Sequence, residues 1–119
     1  MNLQTFITIC KIRKITPVLM TEASRFKENP DEAIRNRFEK VIVSYQEYRD
    51  LFNAFNDSIR KKAQENNILV IDLAKKIPPE KEYIYDAIHY NNQGSRAAAK
   101  VISADLKPLV SQLRNGSRP

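Results

Sequence analysis

The sequence predicts an α/β fold in which a short parallel sheet carries flanking helices. Two apolar runs rich in β-branched residues, ITPVLMTE at 15–22 and ILVIDL at 68–73, read as strands. The second shows no alternation, as expected of a parallel strand covered on both faces. Segments of helical periodicity precede, separate and follow these runs. The resulting order, helix, strand, helix, strand, loop, helix, is the alternation that lays helices on a parallel sheet. At 119 residues, with no internal repeat or low-complexity tract, the chain is one small domain at most.

In residues 1–14, Leu3, Phe6, Ile7 and Cys10 recur at helical spacing. In the strand at 15–22, Pro17 has no N–H to give a neighbour, which confines it to the strand's beginning or an unpaired side. KENPDEAIRNRFEKVI at 27–42 suits a helix, with Pro30, Asp31 and Glu32 in its first turn. Ser44 and Glu47 then fit a reciprocal capping box. Beyond them Tyr45, Tyr48, Phe52, Phe55, Ile59 and Ala63 advance by three and four along one apolar stripe. Asn66 and Asn67 can adopt the left-handed conformation that stops a helix. A loop with Pro78 and Pro79 leads to YDAIHYNNQGS at 85–95. Asn91 or Asn92 caps a final helix whose Ala98, Val101, Ile102, Leu106, Leu109, Val110 and Leu113 share a face. Pro108 is expected to kink it. Residues 114–119 read as a frayed tail.

Composition narrows the function classes. The formal charge is +6, with small clusters at Lys11, Arg13, Lys14 and at Arg60, Lys61, Lys62. No basic stripe interleaved with aromatics accompanies them, so a solvated basic face is expected and nucleic acid is not. No window reaches the ~18 apolar residues of a membrane span. The apolar opening stretch carries its positive charges after it and lacks a small-residue cleavage site, so no signal peptide is expected and the cytoplasm is the default compartment. One cysteine, Cys10, allows no internal disulfide and no cysteine-built metal site. Among Ile7, Ile9 and Ile12 it reads as a buried, inert thiol. Only two glycines, Gly94 and Gly116, rule out the usual glycine-rich phosphate loops.

Chemistry concentrates at Asp86 and His89, the only histidine. An imidazole exchanges a proton near neutral pH, and a carboxylate at its second nitrogen fixes the tautomer and stabilises the charged form. Three residues of separation in a turn can bring the two into hydrogen-bonding range. In a parallel sheet working residues gather beyond the carboxyl ends of the strands, where the loop after ILVIDL begins.

VIDL, a proline-bearing loop, then YDAIHYNNQGSRAAAKVI resembles the carboxy-terminal block of the SGNH hydrolases, the GDSL esterase and lipase family. That block has an Asp-x-x-His turn, a polar residue or two, a glycine and an alanine-rich closing helix; Asp86, His89 and Gly94 occupy those places. ITPVLMTE resembles the family's penultimate strand, and FNDSIRKKAQENNILVIDL the helix and strand before the catalytic turn. The resemblance implies a flavodoxin-like three-layer sandwich, here partial, over residues 1–113. It implies a serine ester hydrolase acting on a lipid, carbohydrate or small acyl ester, with no metal or organic cofactor. His89 would be the general base and Asp86 its orienting partner.

The chain also departs from the family. No Gly-Asp-Ser segment supplies a nucleophile, because none of Ser24, Ser44, Ser58, Ser95, Ser103, Ser111 and Ser117 follows Gly-Asp. No Gly-x-Asn-Asp block supplies oxyanion donors; Asn56-Asp57 follows Ala54 and Phe55 inside the striped helix, so Asn56 reads as helix surface or a packing contact. Ser24, just past the first strand, reads as a loop serine, and Asp72 as a strand-end structural residue. The expectation is therefore a carboxy-terminal half-domain, inactive alone. Its first strand would have lost a neighbour, and an unpaired apolar edge invites a homodimer or a partner carrying the other half. The alternatives are a non-catalytic binding module and, less favoured, a basic nucleic-acid binder.

Overall fold

The computed structural model describes residues 2–39 and 41–116. Met1 of the first expected helix, Lys40 of the second and residues 117–119 of the expected tail lie outside the described residues. Helix α1 (Leu3–Ile12) starts at Asn2, whose side chain accepts the Thr5 amide at 2.9 Å. It buries Ile7 and Cys10. Strand β1 (Val18–Met20) is followed by α2 (Glu32–Phe38) and the long α3 (Tyr45–Asn66). Strand β2 (Leu69–Ile71), a short α4 (Leu73–Lys76) and the closing α5 (Asn92–Arg114) complete the order.

The two strands run parallel, with Val18 opposite Leu69, Leu19 opposite Val70 and Met20 opposite Ile71. Successive side chains of a strand point to opposite faces, and two cores result. Leu19 and Val70 pack with Ile7 of α1 and with Ile59 and Ala63 of α3. Val18 and Ile71 pack on the other face with Leu73, Ile77, Ile84 and, from α5, Ala98, Val101, Ile102 and Leu106. The molecule is thus a mixed fold, a two-stranded parallel sheet with helices on both faces. The unalternated ILVIDL run has this cause, since each face of β2 meets its own helix layer.

Each strand is three residues long where six to eight were expected. Pro17 cannot join the ladder, so β1 begins after it. Past Met20, the Glu22 backbone is taken by a side chain: the Asn56 amide donates to the Glu22 carbonyl and accepts its N–H, both at 2.9 Å. Of the two readings of Asn56, the packing contact is correct and the helix surface is not, for it is 3% exposed. After Ile71 the chain turns at once into α4, which the sequence reading takes as loop.

Helix boundaries differ in instructive ways. Pro30 lies outside α2; Asp31 caps it, accepting the Ile34 amide at 3.1 Å. The Ser44 and Glu47 capping box is present in both directions, and Asn67 ends α3 at φ 52°. The apolar stripe of α3 divides. Ile59 and Ala63 lie over the strands, whereas Tyr48 and Phe55 are exposed on the flank of a face that runs through half-buried Phe52 and buried Asn56, Ile59 and Ala63. Likewise α5 is helical through Pro108 but outruns the core, leaving Val110 and Leu113 exposed. It ends at Arg114, one residue into the expected tail.

Candidate active site

Beyond α4 the chain returns through a turn to an isolated antiparallel bridge between Ile84 and Tyr90. The Tyr85 amide donates to the His89 carbonyl and the Asn91 amide to the Tyr83 carbonyl, both at 3.0 Å. These bonds close a tight loop whose tip is Asp86-Ala87-Ile88-His89. The two carboxylate oxygens of Asp86 have separate tasks. Oδ1 accepts the amides of Ile88 at 2.9 Å and His89 at 2.8 Å, which shapes the turn. Oδ2 faces His89 Nδ1 at 2.8 Å. A carboxylate can only accept, so Nδ1 is the donor, and a neutral imidazole then carries its free lone pair on Nε2. Asp86 is 9% exposed, while the His89 side chain is 63% exposed. The carboxylate is sheltered and the base it orients faces outward. Tyr85 stacks on the imidazole, ring centroids 5.9 Å apart and 22° from parallel.

The loop after β1 holds this turn in place. The Arg25 amide donates to the Ala87 carbonyl at 2.8 Å, and its buried guanidinium donates to the Tyr85 carbonyl at 3.1 Å. The same guanidinium pairs with Asp31, the cap of α2. Residues following the carboxyl ends of both strands therefore meet at one edge, the side on which the strand order puts chemistry. Arg37 of α2 adds a second cation, 3.6 Å from Asp86 Oδ2.

Burial works to raise the Asp86 pKa, but the two amides and the imidazole outweigh it and hold the carboxyl at about 2. Asp72, whose two oxygens take the Arg60 guanidinium at 2.8 Å and the Thr21 hydroxyl at 2.8 Å, is also held at about 2, chiefly by Arg60. An unfolded aspartate titrates near 3.8. The folded state therefore binds these protons less readily than the unfolded chain does. Each carboxylate contributes about 2 kcal/mol above pH ~4, lost as the pH falls toward 2. Urea midpoints measured across this range are expected to drop steeply for the wild type. The drop is expected to be shallower for Asp72→Asn; equal slopes would contradict this assignment.

Asp86 and His89 are brought together as their spacing suggests. The other candidates are not joined to them. Ser24 Oγ accepts the Phe26 amide at 3.3 Å, and among the described residues no hydroxyl or thiol bonds to His89. Asp72 fixes the end of β2 to α3 and is structural. Sequence reasoning missed Arg25, Arg37 and Tyr85. Arg25 gives no local signal, because its carbonyl partner Tyr85 lies 60 residues away. Tyr85 sits four residues before the histidine and could have been noticed.

The described residues contain no group of three or more His, Cys, Asp or Glu placed to hold a metal ion, and no helix long and apolar enough to cross a membrane. A cavity of about 570 Å³ lies at the opposite, amino-terminal edge of the strands between Lys11, Lys14, Asn67 and Leu109. A smaller one of about 410 Å³ adjoins the turn at Ala87 and Ile88. The chain matches no protein-family model, no curated protein and no solved structure.

Proposed function

We propose that Asp86 and His89 are the acid–base pair of an ester hydrolase of the SGNH type, carried on part of a flavodoxin-like three-layer sandwich. The observation that supports this best is the 2.8 Å contact between the sheltered carboxylate and the Nδ1 of an exposed imidazole, at the carboxyl edge of a parallel sheet. His89 Nε2 would take the proton of a serine hydroxyl and return it to the leaving alcohol, while Asp86 stabilises the imidazolium between the two transfers. The serine and the oxyanion donors come, on this reading, from a segment that carries both Gly-Asp-Ser and a Gly-x-Asn-Asp block and seats along the unpaired side of β1. The substrate is a small, lipid or carbohydrate ester. No metal or organic cofactor takes part.

The chain alone is expected to hydrolyse p-nitrophenyl acetate no faster than its His89→Ala variant. Joined to a segment that supplies Gly-Asp-Ser and the Gly-x-Asn-Asp block, it is expected to gain turnover that His89→Ala abolishes. Turnover in the joined protein that survives His89→Ala would reject the acid–base role.

A second reading, a half-domain whose work is assembly with a partner or a second copy, is favoured by exposed apolar groups on β1 and α3. Met20 of β1 and Leu51 and Phe55 of α3 are 48%, 68% and 56% exposed. An unpaired strand beside such groups is a template for association. A monomeric mass by sedimentation at high protein concentration would remove the second copy from this reading.

A further inference from the structure

The cavity beside the Asp86–His89 turn has a composition that the turn's own chemistry does not require. Phe26, Phe38 and Tyr48 form its wall, Val41 part of its rim, and Ala87 and Ile88 its side toward the turn. The three rings hold one another edge-on or tilted, with centroids 5.2–5.8 Å apart. Phe26 is buried, and Tyr45 pins the chain behind it by accepting the Lys27 amide and donating to the Lys27 carbonyl. This wall is therefore built and does not depend on a ligand to assemble it. Among the described residues no acidic side chain lines the cavity, and the one charged group in the lining is Arg37, whose guanidinium lies 3.6 Å from Asp86 Oδ2. A volume of about 410 Å³ lies in the range of small-molecule sites.

We infer that this pocket binds the uncharged hydrocarbon part of the ester, placing the carbonyl group at the turn where His89 stands. The assignment rests on the acid–base reading for its chemistry, but the pocket's preference for hydrocarbon stands on its lining alone. Ala87 and Ile88 lie between Asp86 and His89 in the chain, so the residues that contact the hydrocarbon are those that carry the proton-transfer pair. A polar sugar would meet mostly aromatic and aliphatic carbon, with Arg37 and the Tyr48 hydroxyl the polar side-chain groups in the lining, and would lose much of the water it brought.

The test reads binding without turnover. Methyl butanoate, methyl hexanoate and methyl octanoate are titrated into the chain, with methyl and aromatic NMR signals followed. Saturable shifts are expected at Ile88, Val41, Phe38 and Tyr48, with affinity rising about fourfold per added methylene while the pocket fills, from ~0.8 kcal/mol per buried CH₂. Val41→Trp, at a half-exposed rim position outside any helix, is expected to weaken octanoate binding about tenfold; Tyr48→Ala is expected to weaken it also, by removing wall. Shifts of equal size at Leu51, Phe55 or Ile12, or an affinity independent of chain length, would overturn the pocket assignment. Length-dependent binding here, combined with His89-independent turnover in the joined protein, would keep the pocket and reject the acid–base reading.

Discussion

Replacing Gly94 with alanine is expected to cost about 3 kcal/mol or more and to lower the Tm by roughly 10–20 °C. Gly94 stands in the first turn of α5, where the Asn91 side chain accepts its amide at 2.9 Å. A β-carbon there would lie 1.9 Å from the Tyr83 carbonyl oxygen and 3.0 Å from the Tyr90 ring. The carbonyl cannot swing aside cheaply, because it belongs to the main chain and already accepts the Asn91 amide. Relief requires either lifting the start of α5 off the core or opening the bridge between Ile84 and Tyr90. Both motions disturb the loop that carries Asp86 and His89, so the imidazole is expected to lose its fixed position as stability falls. Gly116→Ala is the control. Its φ of 76° is strained for alanine, but nothing lies within 4 Å, and a loss of about 1–2 kcal/mol from the backbone alone is expected. Thermal melts that place Gly94→Ala within about 2 °C of the wild type would contradict the close-approach account.

The second large effect is expected from Asp86→Asn in a protein completed with a Gly-Asp-Ser segment. Asparagine keeps one oxygen, enough to accept the Ile88 and His89 amides that now reach Oδ1. The fold is expected to survive with a loss of about 1–2 kcal/mol. The other side-chain atom becomes an NH₂ facing His89 Nδ1 and can only donate. The neutral imidazole must then place its proton on Nε2, which removes the lone pair that would take a serine proton. A fall in kcat of about 10³–10⁴, with KM little changed, is expected. A fall under about tenfold would mean that the carboxylate shapes the turn and has no part in proton transfer.

What was legible in the sequence was whatever short-range rules determine. The Ser44–Glu47 box, the Asn67 stop and the Asn91 cap depend on residues three or four apart; the box is legible at its position, and the stop and the cap are legible to within one residue, as Asn66-Asn67 and as Asn91 or Asn92. The apolar runs at 15–22 and 68–73 were recognised as strands because Val18, Leu19, Val70 and Ile71 have no polar alternative to burial. Their lengths were not legible, since Asn56, 34 residues from Glu22, takes the backbone that would have extended β1. The Asp86 and His89 pair was legible for the same local reason as the caps, as one turn brings the two together. Arg25 was not, because the two loops it joins come together only when β1 and β2 pair. The exposed Tyr48 and Phe55 look like core by periodicity alone; the buried face instead runs through Phe52, Asn56, Ile59 and Ala63, and a polar Asn56 in it breaks the apolar count.

The most direct test of the proton-transfer geometry uses the fact that His89 is the only histidine, so every imidazole signal belongs to it. Long-range ¹H–¹⁵N correlation spectra of the chain, recorded at a pH where the ring is neutral, report which nitrogen holds the proton. The expected result is a protonated Nδ1, hydrogen-bonded to Asp86, and an unprotonated Nε2, with the pattern reversed in Asp86→Asn. A wild-type ring protonated on Nε2, or one averaging between both forms, would contradict the claim that Asp86 orients a base.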